Sequence, residues 1–353
     1  MNPFEHEGCS LLGTVQETAY RQCIPLHVSL ELTLRCNIRC AHCYNFDRDL
    51  PRPEFGPELS FPEILGLLDE FRELGTLYLS LTGGEAMVHP RFWDILDEAA
   101  SRRFVVSLLS NGTLLTREVC DRLAGYVGLA GVSLSLYGAR PETHDSVTKS
   151  RGSFERTWAG ARRLQELGAG VGLKFIVMKA NAAEAGDMIR MAEDGGFACS
   201  FEATITGRYD GSRTSVATRV DSATLESLYR GPLRGELATR SPDPTDDEFK
   251  CNCARGNAAV AATGDVYPCI ATPLRAGNVR ERSFTEIWKN SEVFRRIRGL
   301  TLSDFKSCAP CGLKTWCRRS PGSAVLLHGD YTGIDPWDCR EAEIIRDVLR
   351  GAE

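Results

Sequence analysis

The chain has 353 residues, is 42% hydrophobic and 25% charged, and carries a formal net charge of -5. That balance is ordinary for a folded protein with one large unit and a small one, and its sign gives no bulk attraction to nucleic acid or an anionic membrane. No apolar run approaches the ~20 residues that cross a bilayer, and the start, Met1-Asn2-Pro3-Phe4-Glu5-His6-Glu7, lacks the parts of a secretory signal, so the expected compartment is the cytoplasm.

Residues 1–25 hold Gly8, Gly13 and Pro25 without a clear period, and are expected to form an irregular lead-in. From Leu26 to Leu34 apolar and polar residues alternate, the period of a strand. Ser60, Pro62 and Glu63 make the start of a helix that runs to about Leu74 and stops at Gly75. Strands are expected at 77–81, 104–109, 129–136, 171–178 and 197–205. Helices are expected at 91–101, 116–123, 153–167 and 182–193. Six β-α units in a row point to the α/β class, with a parallel sheet and helices outside. Eight units close a barrel, so six give a partial (β/α)6 barrel over 26–205, with its chemistry at the carboxyl ends of the strands. Residues 206–250, broken by Gly and Pro, read as a linker with one short helix at 222–229. A small cysteine-rich domain follows at 251–345.

Fourteen cysteines are many for a chain with no secretory signal. A disulfide framework needs an oxidising compartment, so metal ligation is the better reading. Cys36, Cys40 and Cys43 stand at C-x3-C-x2-C directly after the first strand. Three thiolates at this spacing can hold three irons of a cubic 4Fe–4S cluster and leave the fourth open. Cys251, Cys253, Cys269, Cys308, Cys311, Cys317 and Cys339 form a second group. On spacing alone, Cys308-x2-Cys311 and two later cysteines suit zinc as well as iron–sulfur. Cys9, Cys23, Cys120 and Cys199 are scattered and read as small buried thiols.

The first motif resembles the radical SAM signature C-x3-C-x-(aromatic)-C, with His42 at the aromatic position. The resemblance implies that the open iron binds S-adenosylmethionine, whose reductive cleavage gives a 5′-deoxyadenosyl radical that abstracts a substrate hydrogen. Cys36, Cys40 and Cys43 are then the catalytic cluster ligands. Thr82-Gly83-Gly84-Glu85 resembles the family's glycine-rich motif, in which backbone and carboxylate contact the methionine amino group. The glycines allow positive φ and close approach to a ligand. Ser110-Asn111-Gly112 resembles a segment that lines the substrate and cofactor pocket, although a plain turn with Asn111 in the left-handed region is an equal reading. Ser135 resembles a serine near the methionine carboxylate or ribose, while Tyr137 replaces the usual aspartate. His144 and Asp145 resemble a downstream family motif but serve equally as turn and cap residues. Lys174 is expected to point into the barrel, as a salt-bridged core lysine or as a group for a substrate carboxylate.

The second cysteine group resembles the SPASM extension of radical SAM enzymes, which holds two auxiliary 4Fe–4S clusters and moves the zinc alternative aside. Cys308, Cys311, Cys317 and Cys339 give a full set. Cys251, Cys253 and Cys269 give an incomplete one, because Pro321 stands where the extension has its crossing cysteine. That predicts an open iron able to bind substrate, a ligand other than cysteine, or no cluster there. SPASM enzymes mostly act on peptides, so the expected function is modification of a ribosomally made peptide or protein. The alternative is a small molecule such as a tetrapyrrole side chain or a sugar. A non-enzymatic iron–sulfur scaffold or sensor has no use for the Gly-Gly-Glu motif. The expected electron source is an external flavodoxin- or ferredoxin-type donor. With only about 25 residues before the first strand, too few for a fused recognition domain, a peptide is expected to be presented by a separate small protein or to bind at the barrel mouth by adding a strand to an open edge.

Overall fold

In the computed structural model, which describes residues 11–46, 56–237 and 251–351, the chain enters through α1 (Leu11–Gln22) and then forms β1 (His27–Glu31). The helix corrects the expected irregular lead-in. Just beyond it, the Trp288 indole N–H donates to Cys23 O at 2.8 Å. Cys9, residues 1–10 and the part of the linker at 238–250 lie outside the described residues.

The helices and strands then alternate as α2 (Phe61–Glu73), β2 (Tyr78–Thr82), α3 (Phe92–Ser101), β3 (Val105–Ser110), α4 (Arg117–Ala124), β4 (Leu129–Leu136), α5 (Pro141–Thr148), α6 (Ser153–Glu166), β5 (Val171–Ile176), α7 (Ala185–Asp194) and β6 (Ala198–Glu202). The capping box at the start of α2 is present: the Ser60 N–H donates to Glu63 Oε2 at 2.7 Å. All six strands are parallel, in the order β6-β5-β4-β3-β2-β1.

Their two faces differ in composition. Val28, Leu30, Leu79, Leu81, Val106, Leu108, Leu134, Leu173 and Phe175 are buried with Ile64, Leu68 and Phe71 of α2 and Ile95 of α3 in the main core. The alternate positions are mostly small or polar: Ser29, Ser80, Ser107, Ser133, Ser135 and Lys174. A period-2 pattern sends these to the opposite face, where short side chains leave room for a cavity.

The sheet does not stop at β1. β7 (Asn257–Val260) pairs with it in parallel, His27 opposite Asn257, and β8 (Asp265–Tyr267) and β9 (Gly277–Asn278) continue the sheet antiparallel. The nine-stranded sheet therefore runs from the barrel into the cysteine-rich region, and the edge beside β1 is taken. β6 ends the sheet on the other side. The rest is helical: α8 (Ser222–Arg230), α9 (Phe284–Asn290), α10 (Glu292–Gly299), α11 (Pro321–His328) and α12 (Pro336–Arg350).

The described part of the expected linker is packed rather than loose. α8 lies on α12, with the Tyr229 hydroxyl bonded to Glu341. Arg219 is buried, donates to Ile205 O at 2.6 Å and pairs with Asp335 at 2.8 Å. Of the scattered thiols, Cys120 is buried as expected, but Cys23 and Cys199 are only half-buried.

Candidate active site

The cysteine loop leaves β1 and is held from four sides. Glu58 accepts the Leu34 N–H at 2.9 Å and the Thr33 hydroxyl at 3.0 Å. The Arg39 and Ala41 N–H groups donate to Thr148 O and Val147 O, both at 3.0 Å, which ties the loop to the end of α5. From the segment after β6, buried Arg208 donates to Ala41 O at 2.7 Å, and the Tyr209 N–H donates to Tyr44 O at 2.9 Å. Sequence reasoning missed Glu58, Arg208 and Tyr209, which carry no local motif and act across long separations.

The fourth side is the glycine motif. The Gly84 N–H donates to Thr33 O at 2.7 Å and the Glu85 N–H to Arg35 O at 2.9 Å. A Cβ on Gly83 would meet Thr33 O at 2.4 Å, and one on Gly84 would meet Arg35 O at 2.2 Å; Gly83 also has φ +132°. These glycines are needed for close approach to the backbone of the cysteine loop, besides lining the cavity beside it.

Glu85 differs from its expected place. It is 1% exposed and stands behind the cavity wall. Its Oε1 accepts from the Ser110 hydroxyl at 3.0 Å and the Met87 N–H at 3.3 Å, and its Oε2 from the Asn111 N–H at 2.8 Å. Burial raises its pKa, and the bonds from Asn111, Ser110 and Met87 oppose that rise. The carboxylate thus faces the chain's own donors rather than a cofactor amine. In the Ser-Asn-Gly turn the left-handed residue is Gly112, φ +75°, and not Asn111. The Asn111 amide donates to Asn37 Oδ1 at 2.9 Å and to Cys36 Sγ at 3.7 Å.

A cavity of about 450 Å³ opens over this loop. Cys36, Cys40, His42 and Cys43 form one wall, Gly83, Gly84, Ser110, Asn111 and Ser135 the next. Lys174 is on the far side, exposed to the cavity and without an ion-pair partner among the described residues, so it is no salt-bridged core lysine. The cavity continues to Tyr209, Ile270, Ala271, Arg318 and Ser320, and so reaches the cysteine-rich region. His42 packs edge-on to Tyr137, ring centroids 4.5 Å apart. Burial, with help from Arg208, pushes its pKa down to about 4. Desolvation holds the Tyr137 phenol well above the ordinary value, with Cys40, Cys43 and Cys36 among the nearby charges. His144 and Asp145 are structural. His144 Nδ1 accepts the Tyr137 N–H at 3.1 Å, and Asp145 accepts the Phe154 N–H at 2.9 Å.

The wall fits a cluster and a polar cofactor. Three thiols share it, one with an amide donor on its sulfur. His42 Nδ1 and Asn45 Oδ1 are buried at it and have no hydrogen-bond partner among the described residues. Buried polar atoms of this kind call for a ligand. Among the described residues no three His, Cys, Asp or Glu side chains are arranged to hold a single metal ion.

The second group holds two sets of neighbouring thiols. Cys308, Cys311, Cys317 and Cys339 feel one another's charge across the start of α12. Cys253 Sγ lies 3.2 Å from Cys269 Sγ, and Cys251 is next to both.

The Radical SAM superfamily profile matches residues 30–192, and the profile of an iron–sulfur cluster-binding domain, SPASM, matches residues 251–312. An AdoMet-dependent heme synthase of Methanosarcina barkeri is 30% identical over 341 residues, 89% of this chain and 96% of that one. The chain belongs to the radical SAM superfamily. The mycofactocin maturase MftC of Mycobacterium tuberculosis is 28% identical over 88% of this chain and 82% of its own. Streptococcus suis SuiB bound to S-adenosylmethionine shares the fold, with a TM-score of 0.68 at 16% identity over 90% of this chain and 77% of that one. The protein is thus a radical SAM enzyme with a C-terminal SPASM domain, and 4Fe–4S clusters and S-adenosylmethionine are its cofactors. Cys36, Cys40 and Cys43 are the residues that would hold the radical cluster.

Proposed function

We propose that this radical SAM enzyme takes a hydrogen atom from a side chain of a ribosomally made peptide or protein. The carrying observation is the size and shape of the cavity. At about 450 Å³ it is near the low end of the ~300–1,000 Å³ that a single small-molecule ligand occupies. With the cofactor against the Cys36–Cys43 wall, the remaining space suits one side chain, and the rest of the substrate stays at the open mouth. When bound, the cluster and S-adenosylmethionine supply a carbon-centred radical able to abstract hydrogen. The chain's part is to orient and to shelter. Gly83, Gly84, Ser110, Asn111 and Ser135 shape the cofactor wall, and Tyr44, Tyr137 and Ile205 exclude water from it. The relatives include the maturase MftC, which supports a peptide. A peptide strand can add at β6, the edge of the sheet on the side of the six parallel strands, which no other strand covers among the described residues. The proposal includes a separate presenting protein and an external flavodoxin- or ferredoxin-type electron donor.

One observation favours a second reading. Lys174 and Arg318 bring two cations to the cavity, which suits the carboxylates of a tetrapyrrole side chain, and the M. barkeri relative is a heme synthase. The deciding experiment incubates the reconstituted enzyme, dithionite and S-adenosylmethionine with the peptide encoded beside the gene, or with an iron tetrapyrrole bearing propionates. A mass change in the peptide, coupled to 5′-deoxyadenosine, supports the first reading. Turnover of the tetrapyrrole alone moves the assignment to the second.

A further inference from the structure

The segment after β6 reaches both cysteine groups from one tight turn. The Arg208 N–H donates to Ser212 O at 2.9 Å, and the Ser212 N–H donates to Asp210 Oδ1 at 2.8 Å. Just past the turn, the Arg213 guanidinium donates to Leu327 O of α11 at 2.5 Å. The turn is therefore a fixed mount, and Tyr209 on it lines the cavity.

Tyr209 makes contacts in two directions. Towards the first cysteine loop, its N–H donates to Tyr44 O at 2.9 Å, and its ring lies edge-on to that of Tyr44, centroids 5.3 Å apart. Tyr44 directly follows Cys43, and its hydroxyl donates to Glu31 Oε1 at the end of β1 at 3.2 Å. Towards the cysteine-rich region, the Tyr209 hydroxyl donates to Ile270 O, and its ring centroid lies 6.3 Å from that of Tyr267. Ile270 directly follows Cys269. The loop there is confined: the Thr272 N–H donates to Cys269 O at 3.1 Å, and a Cβ on Gly322 of α11 would come 1.7 Å from Ala271 O. One side chain thus spans the cavity from the residue after Cys43 to the residue after Cys269.

We propose that Tyr209 is a positioning residue that couples the two sites, so that iron loading at Cys251, Cys253 and Cys269 sets the affinity of the Cys36–Cys43 wall for S-adenosylmethionine. Each thiolate takes an iron of its own in a cubic cluster. Cys253 and Cys269, with Sγ atoms 3.2 Å apart, therefore separate as irons enter. Ile270 O moves with Cys269, and the hydroxyl bonded to it carries the shift to Tyr44 and the cofactor wall. The effect is reciprocal: S-adenosylmethionine changes the iron affinity of the auxiliary site by the same factor. The coupling rests on the two cofactor sites alone and holds whichever substrate the barrel takes.

The test measures S-adenosylmethionine binding, by equilibrium dialysis and by the EPR spectrum of the reduced radical cluster, on the full chain reconstituted without oxygen. Four forms are compared: the parent, Cys269→Ala, Tyr209→Phe and the double variant. Tyr209→Phe keeps the ring against Tyr44 and removes only the hydroxyl that reaches Ile270. In the Tyr209 parent, Cys269→Ala is expected to weaken S-adenosylmethionine binding about ten-fold, an ordinary size for coupling between sites, and to shift the EPR spectrum of the cofactor-bound cluster. In the Tyr209→Phe background, Cys269→Ala should change affinity by less than about two-fold and leave the spectrum in place. A merely structural tyrosine would leave the response to Cys269→Ala intact in Tyr209→Phe. That result, or no response in the parent, would overturn the proposal. Should Tyr209→Phe misfold, hydrogen exchange decides. In the chain carrying Cys36→Ala, Cys40→Ala and Cys43→Ala, iron enters only the auxiliary sites. Loading should slow exchange of the amides at 41–46, and adding Cys269→Ala should abolish that slowing. Exchange there that ignores loading would overturn the proposal equally.

Discussion

The carboxylate of Glu85 accepts the backbone N–H of Asn111 at 2.8 Å, and the Asn111 side chain in turn reaches Cys36 Sγ at 3.7 Å. The loops after β2 and β3 are thereby coupled to the loop after β1, and Glu85 acts on the cluster ligands through Asn111.

Glu85→Ala leaves the buried Asn111 N–H and Ser110 hydroxyl without an acceptor, a loss of about 1–3 kcal/mol for each unsatisfied group. The expected outcome is a lower thermal midpoint and an altered radical-cluster absorption spectrum. Glu85→Gln, which keeps a carbonyl acceptor, recovers most of both. Unchanged stability and spectrum in Glu85→Ala, with only S-adenosylmethionine affinity reduced, would instead place the carboxylate on the cofactor.

His144 gives the fold an acid sensitivity. Its Nδ1 must stay unprotonated to accept the Tyr137 N–H, and burial lowers its pKa from 6.5 to about 4. A folded pKa below the unfolded one means that the stabilisation is complete above pH 6.5 and is lost as the pH falls through 6.5 towards 4. By pH 5 the loss is about 2 kcal/mol. His144→Asn keeps an acceptor that does not titrate, so its chemical-denaturation midpoint should fall less between pH 7 and 5 than that of wild type. Equal falls would remove His144 as a source.

How far the sequence alone reaches depends on how local each signal is. The alternation of Leu26 to Leu34, the capping box at Ser60 and the cysteine spacing at Cys36 are all short-range; β1 (His27–Glu31) lies inside the alternation, and the capping box is present at the start of α2. α1 is less legible because Gly13 stands near its start and its apolar stripe, Leu12, Val15 and Ala19, is short. The parallel pairing of β7 with β1 joins residues more than 200 apart in the sequence, and no local period encodes it. Glu85 was readable as a carboxylate at the site but not as one turned away from the cavity, since its donors come from another loop.

The buried pair of Arg219 and Asp335 fastens the segment after β6 to the start of α12. Asp335→Ala leaves the Arg219 guanidinium buried without its counter-charge, at a cost of about 3–5 kcal/mol. The double change Arg219→Met with Asp335→Leu should cost clearly less. Urea unfolding of the two variants measures this, and an Asp335→Ala variant as stable as the wild type would show that the two regions are held elsewhere.

Lys174 offers its charge to the cavity, so Lys174→Gln should raise the KM of the accepted substrate about ten-fold or more while leaving uncoupled 5′-deoxyadenosine formation near the wild-type rate. An unchanged KM with both the peptide and the tetrapyrrole would take Lys174 out of substrate recognition.

The most direct test of the account is the joint replacement Cys36→Ala, Cys40→Ala and Cys43→Ala, with iron and 5′-deoxyadenosine measured together after anaerobic reconstitution. Wild type is expected to hold about twelve irons, four for each cubic cluster, and to form 5′-deoxyadenosine with dithionite. The variant should hold about eight and form none above background. Undiminished S-adenosylmethionine cleavage in the triple variant, or an unchanged iron content, would contradict the assignment of these three thiols to the radical cluster.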